Sequence, residues 1–241
     1  MVATQITASD GRSALMIVQT GRKARKSIQG LKGPPIGLAA GRVGSLRGMD
    51  GESMVGFGYK QAWLAVRDGD AEAVVAVLGL RDLGVVTWRA GVDLAYLTDD
   101  RLVLTPPIPG ARGASWLLIV GRWLLRNEST VDIVRLSARL GAEVQFFATY
   151  RVAEQHRWAR AVDGVLVRAF GYVGETGEVT SWGGDPDDTE RAIGLPAALE
   201  EETDILVSED DVMRVARVWS VDPTALDGRP APGPLRAAAA S

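Results

Sequence analysis

The chain reads as an α+β protein: a mainly antiparallel sheet with helices packed on one face. Two observations carry that reading. Asp163-Gly164 lies between two strand-like runs, His156–Val162 and Val165–Val173. A dipeptide that accepts φ > 0 at both positions is a strong hairpin signal, and a hairpin makes neighbouring strands antiparallel. Helix-start signals at Asp70, Ser129 and Ser208 are scattered among the strands. An alternating parallel sheet fits less well, because the hairpin breaks its pattern.

The elements follow in order. Tyr59–Arg67 reads as a strand ended by Asp68-Gly69. Asp70 then caps a helix through Leu78, with Val74, Val75 and Leu78 as its apolar stripe. Short strands follow at Val85–Trp88 and Arg101–Thr105, the second stopped by Pro106-Pro107. Pro106–Gly113 reads as a loop, since its prolines lack ladder donors. The apolar run Ser115–Leu125 reads as a central strand. Ser129 opens a helix with Asp132 three residues on; Ile133, Leu136 and Leu140 form its buried face, and Gly141 ends it. Glu143–Tyr150 is the next strand, with Phe146 and Phe147 pointing to opposite faces. Pro186 opens a short acidic helix ending near Gly194. Ser208, with Asp211 three residues later, starts the best-marked helix, whose Val212, Val215, Ala216 and Trp219 fall at helical spacing.

These elements define one domain over residues 54–226. From Asp227 the chain is rich in Pro, Gly and Ala, so 227–241 reads as a disordered tail. Residues 1–53 differ from the rest. They hold no Trp, Tyr or Phe, and eight Lys/Arg against three Asp/Glu give them +5, which against the overall −3 leaves −8 on the remainder. A segment with few large apolar groups cannot offset its ordering entropy, so this basic extension reads as mostly disordered, with Ala14–Gln19 as its one short ordered piece. It is a natural tail, a targeting peptide or translated upstream sequence with the start at Met49 or Met54.

Composition removes several chemistries. There is no cysteine, so disulfides, thiolate metal sites and cysteine nucleophiles are out. His156 is the only histidine, which rules out a multi-histidine metal site on one chain. No metal and no cofactor is expected. No apolar run reaches the roughly 18 residues that a membrane helix needs, so no membrane partner is expected and the location is read as cytoplasmic. The phosphate-cradling G-x-x-x-x-G-K-[ST] loop, the G-x-S-x-G elbow and the spaced-acid calcium loop are all missing. Gly56-Phe-Gly58 precedes a strand and lacks the third glycine of a dinucleotide fingerprint.

The remaining candidates are few. His156 is either a general base, oriented by Glu154 or Glu143, or a strand residue beside Trp158 satisfied by a backbone carbonyl. Arg157, Arg160 and Arg168 gather in the hairpin with Arg151. A two-residue turn puts Arg160 opposite Val167 and Arg168 opposite Ala159, hence Arg160 on one face and Arg157 with Arg168 on the other. They form an anion or carboxylate site, or they are solvated and paired with nearby acids. Asp187 and Asp188, with Asp185 and Glu190, form an acidic patch, as do Glu200–Glu202 and Glu209–Asp211. Such patches meet a basic protein partner, or cap helices and face water. Trp182, in Thr-Ser-Trp-Gly-Gly-Asp-Pro, is a contact residue in a flexible loop, or folds back over the hairpin.

Glu143-Val-Gln-Phe-Phe, the stretch from His156 to Phe170 around Asp163-Gly164, and Val218-Trp-Ser-Val-Asp-Pro-Thr-Ala-Leu carry a resemblance. Over about Met54–Leu226 the chain resembles a group of uncharacterised bacterial proteins, mostly from high-GC actinomycetes, some of which are similar to small α+β immunity proteins of toxin systems. The resemblance implies fold and role only; its motifs carry no catalytic residue. The expected function is a non-enzymatic cytoplasmic protein-binding module of immunity or regulatory type. The alternative is a small enzyme or ligand-binding protein that uses His156 and the hairpin arginines. Nucleic acid is not expected beyond the basic tail.

Overall fold

The computed structural model describes residues 2–7, 13–18, 51–126, 132–200 and 205–240. The disorder expected for the rest of residues 1–50, the Ser129 helix start and the acids Glu201 and Glu202 lie outside them. Strands β1 (Val2–Thr7) and β2 (Ser13–Val18) pair antiparallel as a two-stranded sheet of their own; β2 overlaps the ordered piece expected at Ala14–Gln19, whereas β1 lies where disorder was expected.

The remaining elements build one ten-stranded sheet with helices. They are β3 (Ala62–Arg67), α1 (Ala71–Val77), β4 (Arg81–Val86), α2 (Trp88–Leu97), β5 (Arg101–Leu104), β6 (Ile108–Pro109), β7 (Ser115–Val120), α3 (Arg122–Arg126), α4 (Ile133–Leu140), β8 (Val144–Tyr150), β9 (Gln155–Val162), β10 (Val165–Val173), β11 (Glu178–Gly183), α5 (Asp188–Ala192), α6 (Glu209–Trp219) and β12 (Leu235–Ala239). The order across the sheet is β11-β10-β9-β8-β3-β7-β5-β12-β4, with β6 on β7, and every pairing is antiparallel. The α+β class with an antiparallel sheet therefore holds. Among the described residues no helix is long and apolar enough to cross a membrane.

Local chemistry explains most boundaries. Asp70, Asp132, Asp187 and Ser208 each accept a backbone N–H from three residues on, which satisfies a donor left open at the helix start. Glu190 and Asp211 complete reciprocal capping boxes with Asp187 and Ser208. Asp163 and Gly164 both adopt positive φ, 48° and 80°, and join β9 to β10 as the dipeptide requires.

The helices occupy both faces, which corrects the one-faced arrangement expected. Trp63 and Ala65 of β3 point into a core shared with α2 and α6, where Trp88, Val92, Val212, Val215, Ala216 and Trp219 are buried. Ala62, Leu64 and Val66 point the other way, against Val74 and Val75 of α1, Leu124 of α3 and Ile133 and Leu136 of α4. Strands β3, β7 and β8 are apolar at nearly every position, and a strand buried on both faces needs cover on both. Phe146 and Phe147 accordingly fall in opposite cores, and Phe147 stacks on Trp63 at 5.2 Å.

Other boundaries differ from expectation. Trp88 begins α2 rather than ending a strand, with Thr87 as its cap. Gly91, an unfavourable residue within a helix, lies where α2 packs closely on β12: a Cβ there would come within 2.6 Å of Leu235 Cδ1, so that side chain would have to shift. The run Ser115–Leu125 divides into β7 and α3 at Gly121. Pro106–Gly113 is not all loop, since Ile108–Pro109 makes the short β6.

The largest correction concerns the C-terminal segment. Residues 235–239 do not fray; they form β12, inserted between β5 and β4. The alanines that suggested disorder are what fit there. Ala237 and Ala238 are buried in opposite cores, where small side chains let helices approach the sheet. Arg236 donates from Nε and Nη2 to the two carboxylate oxygens of Asp82, at 3.1 and 2.7 Å, and fastens β12 to β4. Glu52 and Ser53 also join the domain: Glu52 accepts the Trp88 N–H at 2.7 Å, and Ser53 bridges to Pro230.

Candidate functional site

Antiparallel pairing brings the starts of β3 and β9 beside the ends of β7 and β8, where Ala62 faces Ala148 and Ala148 faces Arg157. A cleft of about 440 Å³ opens at this end of the sheet. Its charged lining is Lys60 before β3, Arg122 and Arg126 on α3, and Arg157 on β9. Tyr96, Tyr150, Gln155, Leu125 and Ala148 complete the wall, and no carboxylate lines it among the described residues.

Each cation is placed by a different device. Arg122 and Arg126 lie one helical turn apart and straddle one carboxylate, Asp99, at 3.5 and 3.0 Å. Arg122 also donates to the Tyr96 carbonyl at 3.4 Å, which ties α3 to the end of α2. Lys60 has φ 53° and donates its backbone N–H to Glu209 Oε1 at 3.4 Å; among the described residues it makes no ion pair. Burial pushes the Arg157 guanidinium below its ordinary value, but a guanidinium stays charged at any physiological pH. The Tyr96 hydroxyl accepts from Gly58 N and donates to Tyr59 O, which fixes its ring, and burial raises its pKa.

The arginines predicted to act together are separated. Register slips between Leu166 and Arg168, so Arg168 pairs with Arg160 instead of Ala159. This bulge puts Arg160 and Arg168 on the face of Trp158 and Phe170 and leaves Arg157 on the other, which corrects the pairing of Arg157 with Arg168. Arg160 Nε lies 2.7 Å from Glu143 Oε1, an ion pair without hydrogen-bond alignment; that oxygen also accepts from Arg112 and Gln145 at 2.7 Å each. Burial pushes the Glu143 carboxyl up, but Arg112, Gln145 and Arg160 outweigh it and hold it below its ordinary value.

Arg168 is fully buried against Glu190, with Nε 2.8 Å from Oε1. Its Nη1 donates to the carbonyls of Ala169, Gly183 and Gly184. Glu190 also accepts the Trp158 indole N–H at 2.6 Å. Trp182 is not in a loop: it lies on β11 opposite Phe170, packs edge-on against that ring at 6.0 Å and carries the Arg168 guanidinium 4.5 Å above it. Asp187 caps α5 and accepts the Trp219 indole N–H at 2.6 Å, while Asp188 is exposed beside Arg191. Half of the acidic patch, Asp187 and Glu190, is thus internal wiring, while Asp185 and Asp188 are presented to water.

His156 is buried, shares its sheet face with Trp158 and does not line the cleft. Its Nδ1 lies 3.2 Å from the Thr149 hydroxyl, which donates to Glu209 Oε1 at 2.9 Å. That hydroxyl has one proton and directs it to Glu209, so the neutral imidazole carries its own proton on Nδ1. Burial pushes the His156 pKa down, against the opposing pull of Glu209, Glu154 and Asp211. The partner is Thr149, not the backbone carbonyl, Glu154 or Glu143 considered from the sequence.

Of the predicted residues only Arg157 reaches the cleft. Lys60, Tyr96, Arg122, Arg126, Tyr150 and Gln155 were missed. The two arginines in Gly-Arg-Trp-Leu-Leu-Arg were the available signal, obscured by reading that run as strand. Among the described residues no group of three or more His, Asp or Glu is placed to hold a metal ion. Comparison with protein-family models, curated proteins and solved structures returns no match.

Proposed function

We propose that this chain is a ligand-binding protein that takes a small organic anion in the cleft between β3, α3 and β9. One observation carries the reading: Lys60, Arg122, Arg126 and Arg157 converge on one concave surface, with no lining carboxylate among the described residues. Clustered cations in a concave site concentrate anions, and guanidinium groups bind carboxylate or phosphate through paired N–H donors. Titration calorimetry with inorganic pyrophosphate and citrate at about 50 mM salt tests it, where screening is weak. Binding should weaken at least about tenfold in Lys60→Ala/Arg157→Ala, a loss of roughly 1.4 kcal/mol. Equal affinity in parent and double variant, or no binding by the parent, would overturn the reading.

A non-enzymatic protein-binding role of immunity or regulatory type is the second reading. Its support is the exposed apolar run Val165, Leu166 and Val167 at the hairpin, 59%, 39% and 42% accessible. Replacing Val165 and Val167 by serine should then abolish any stable complex isolated with the protein; a complex that survives would count against it.

A further inference from the structure

Resting on the anion-binding reading, we infer that the ligand of this cleft is a mononucleotide-type organic phosphate: a phosphate monoester bearing a flat heterocycle. The charge count points to phosphate. Setting Arg157 aside, Lys60, Arg122 and Arg126 against Asp99 leave two positive charges. A single carboxylate compensates half of that, whereas a phosphate monoester carries roughly −1.5 to −2 at neutral pH.

Size points to an organic substituent. A cleft of about 440 Å³ lies within the range of small-molecule sites, roughly 300–1,000 Å³, and far exceeds a bare inorganic anion. The rest of the wall indicates a flat polar ring. Tyr150 lines the cleft, 39% exposed, and supplies an aromatic ring, while the Tyr96 ring is held by both hydrogen bonds of its hydroxyl. Stacking of a base on an aromatic side chain contributes about 1–3 kcal/mol whatever the base. Gln155 adds one amide with donor and acceptor together, the complement of a heterocycle edge.

The experiment is calorimetry on the full chain at about 50 mM salt, where ionic contacts are weakly screened. The probes are AMP, GMP, CMP and UMP, with ribose 5-phosphate, adenosine and a single-stranded oligonucleotide. At least one mononucleotide should bind tenfold or more tighter than ribose 5-phosphate, and adenosine should bind more weakly than AMP. Tyr150→Ala should reduce mononucleotide affinity about tenfold, with ribose 5-phosphate within twofold of the parent and Tyr150→Phe restoring the difference. Mononucleotides and ribose 5-phosphate bound equally would overturn the heterocycle and leave the anion reading standing. Adenosine bound as tightly as AMP, or no probe bound, would overturn both. An oligonucleotide bound a hundredfold tighter than any mononucleotide would overturn the proposal in favour of nucleic acid.

Discussion

Replacing Glu190 by alanine removes the only carboxylate that touches the Arg168 guanidinium among the described residues. Arg168 is 2% exposed and Glu190 fully buried, so bulk solvent does not screen the charge left without its partner. The remaining contacts are three backbone carbonyls and the Trp182 face, none with a full negative charge. Removing one member of a buried pair costs about 3–5 kcal/mol. The Trp158 indole N–H and the Asp187 backbone N–H also lose their acceptor, so the upper half of that range is expected. For a chain of this size each kcal/mol moves Tm by about 2–4 °C, giving a fall of roughly 8–20 °C. Urea unfolding followed by circular dichroism and tryptophan fluorescence measures the loss directly. Arg168→Met/Glu190→Leu should lose less than the sum of the two single variants by at least about 1 kcal/mol, because no orphan charge remains. Additive losses, or Glu190→Ala within about 1 kcal/mol of the parent, would refute the assignment.

Three further outcomes are expected. Leu235→Ala, at a site 1% exposed, should cost about 2–5 kcal/mol, and deletion of residues 235–241 should abolish cooperative unfolding; a truncated chain that melts like the parent would show that β12 is dispensable. Gly184→Ala should destabilise by more than about 1–2 kcal/mol in urea, since φ is 69° and the new Cβ would lie 2.1 Å from the Val167 carbonyl oxygen; an unchanged midpoint would refute that contact. His156 has a folded pKa below its unfolded value of about 6.5, so the unfolded chain takes up the proton first and stability declines as pH falls through that region. The decline in urea midpoint between about pH 7.5 and 5.5 should flatten in His156→Gln, and identical profiles would assign the pH dependence elsewhere.

Features set by local chemistry were legible in the sequence. Asp70, Ser208 and the Asp163-Gly164 turn act through neighbours within three residues, and each does what its residue type dictates. Phe146 and Phe147 divide between two cores because strand periodicity is local too. Features set by distant partners were not. The bulge before Arg168 moves one arginine across the sheet with no mark in the residues around it. The alanines of β12 have weak strand preference and take their conformation from β4 and β5. The cleft draws Lys60, Tyr96, Arg122, Tyr150 and Arg157 from elements nearly a hundred residues apart, and only the assembled sheet brings them together.

The position of β12 also sets an order of events. It follows every other strand in the chain, yet it lies between β4 and β5, two of the early strands of the sheet. While a ribosome is still making the chain, β4 has no partner, and β5 presents an open row of amides and carbonyls to whatever is near. The half of the sheet from β11 to β7 can assemble during synthesis, but this edge closes only once Leu235–Ala239 has emerged. A pairing across some 150 residues is slow by its topology, so a nascent chain passes through an interval with β4 unpaired and one edge of β5 open. That interval is where a chaperone would have to act, and where a second nascent copy could donate its own β12.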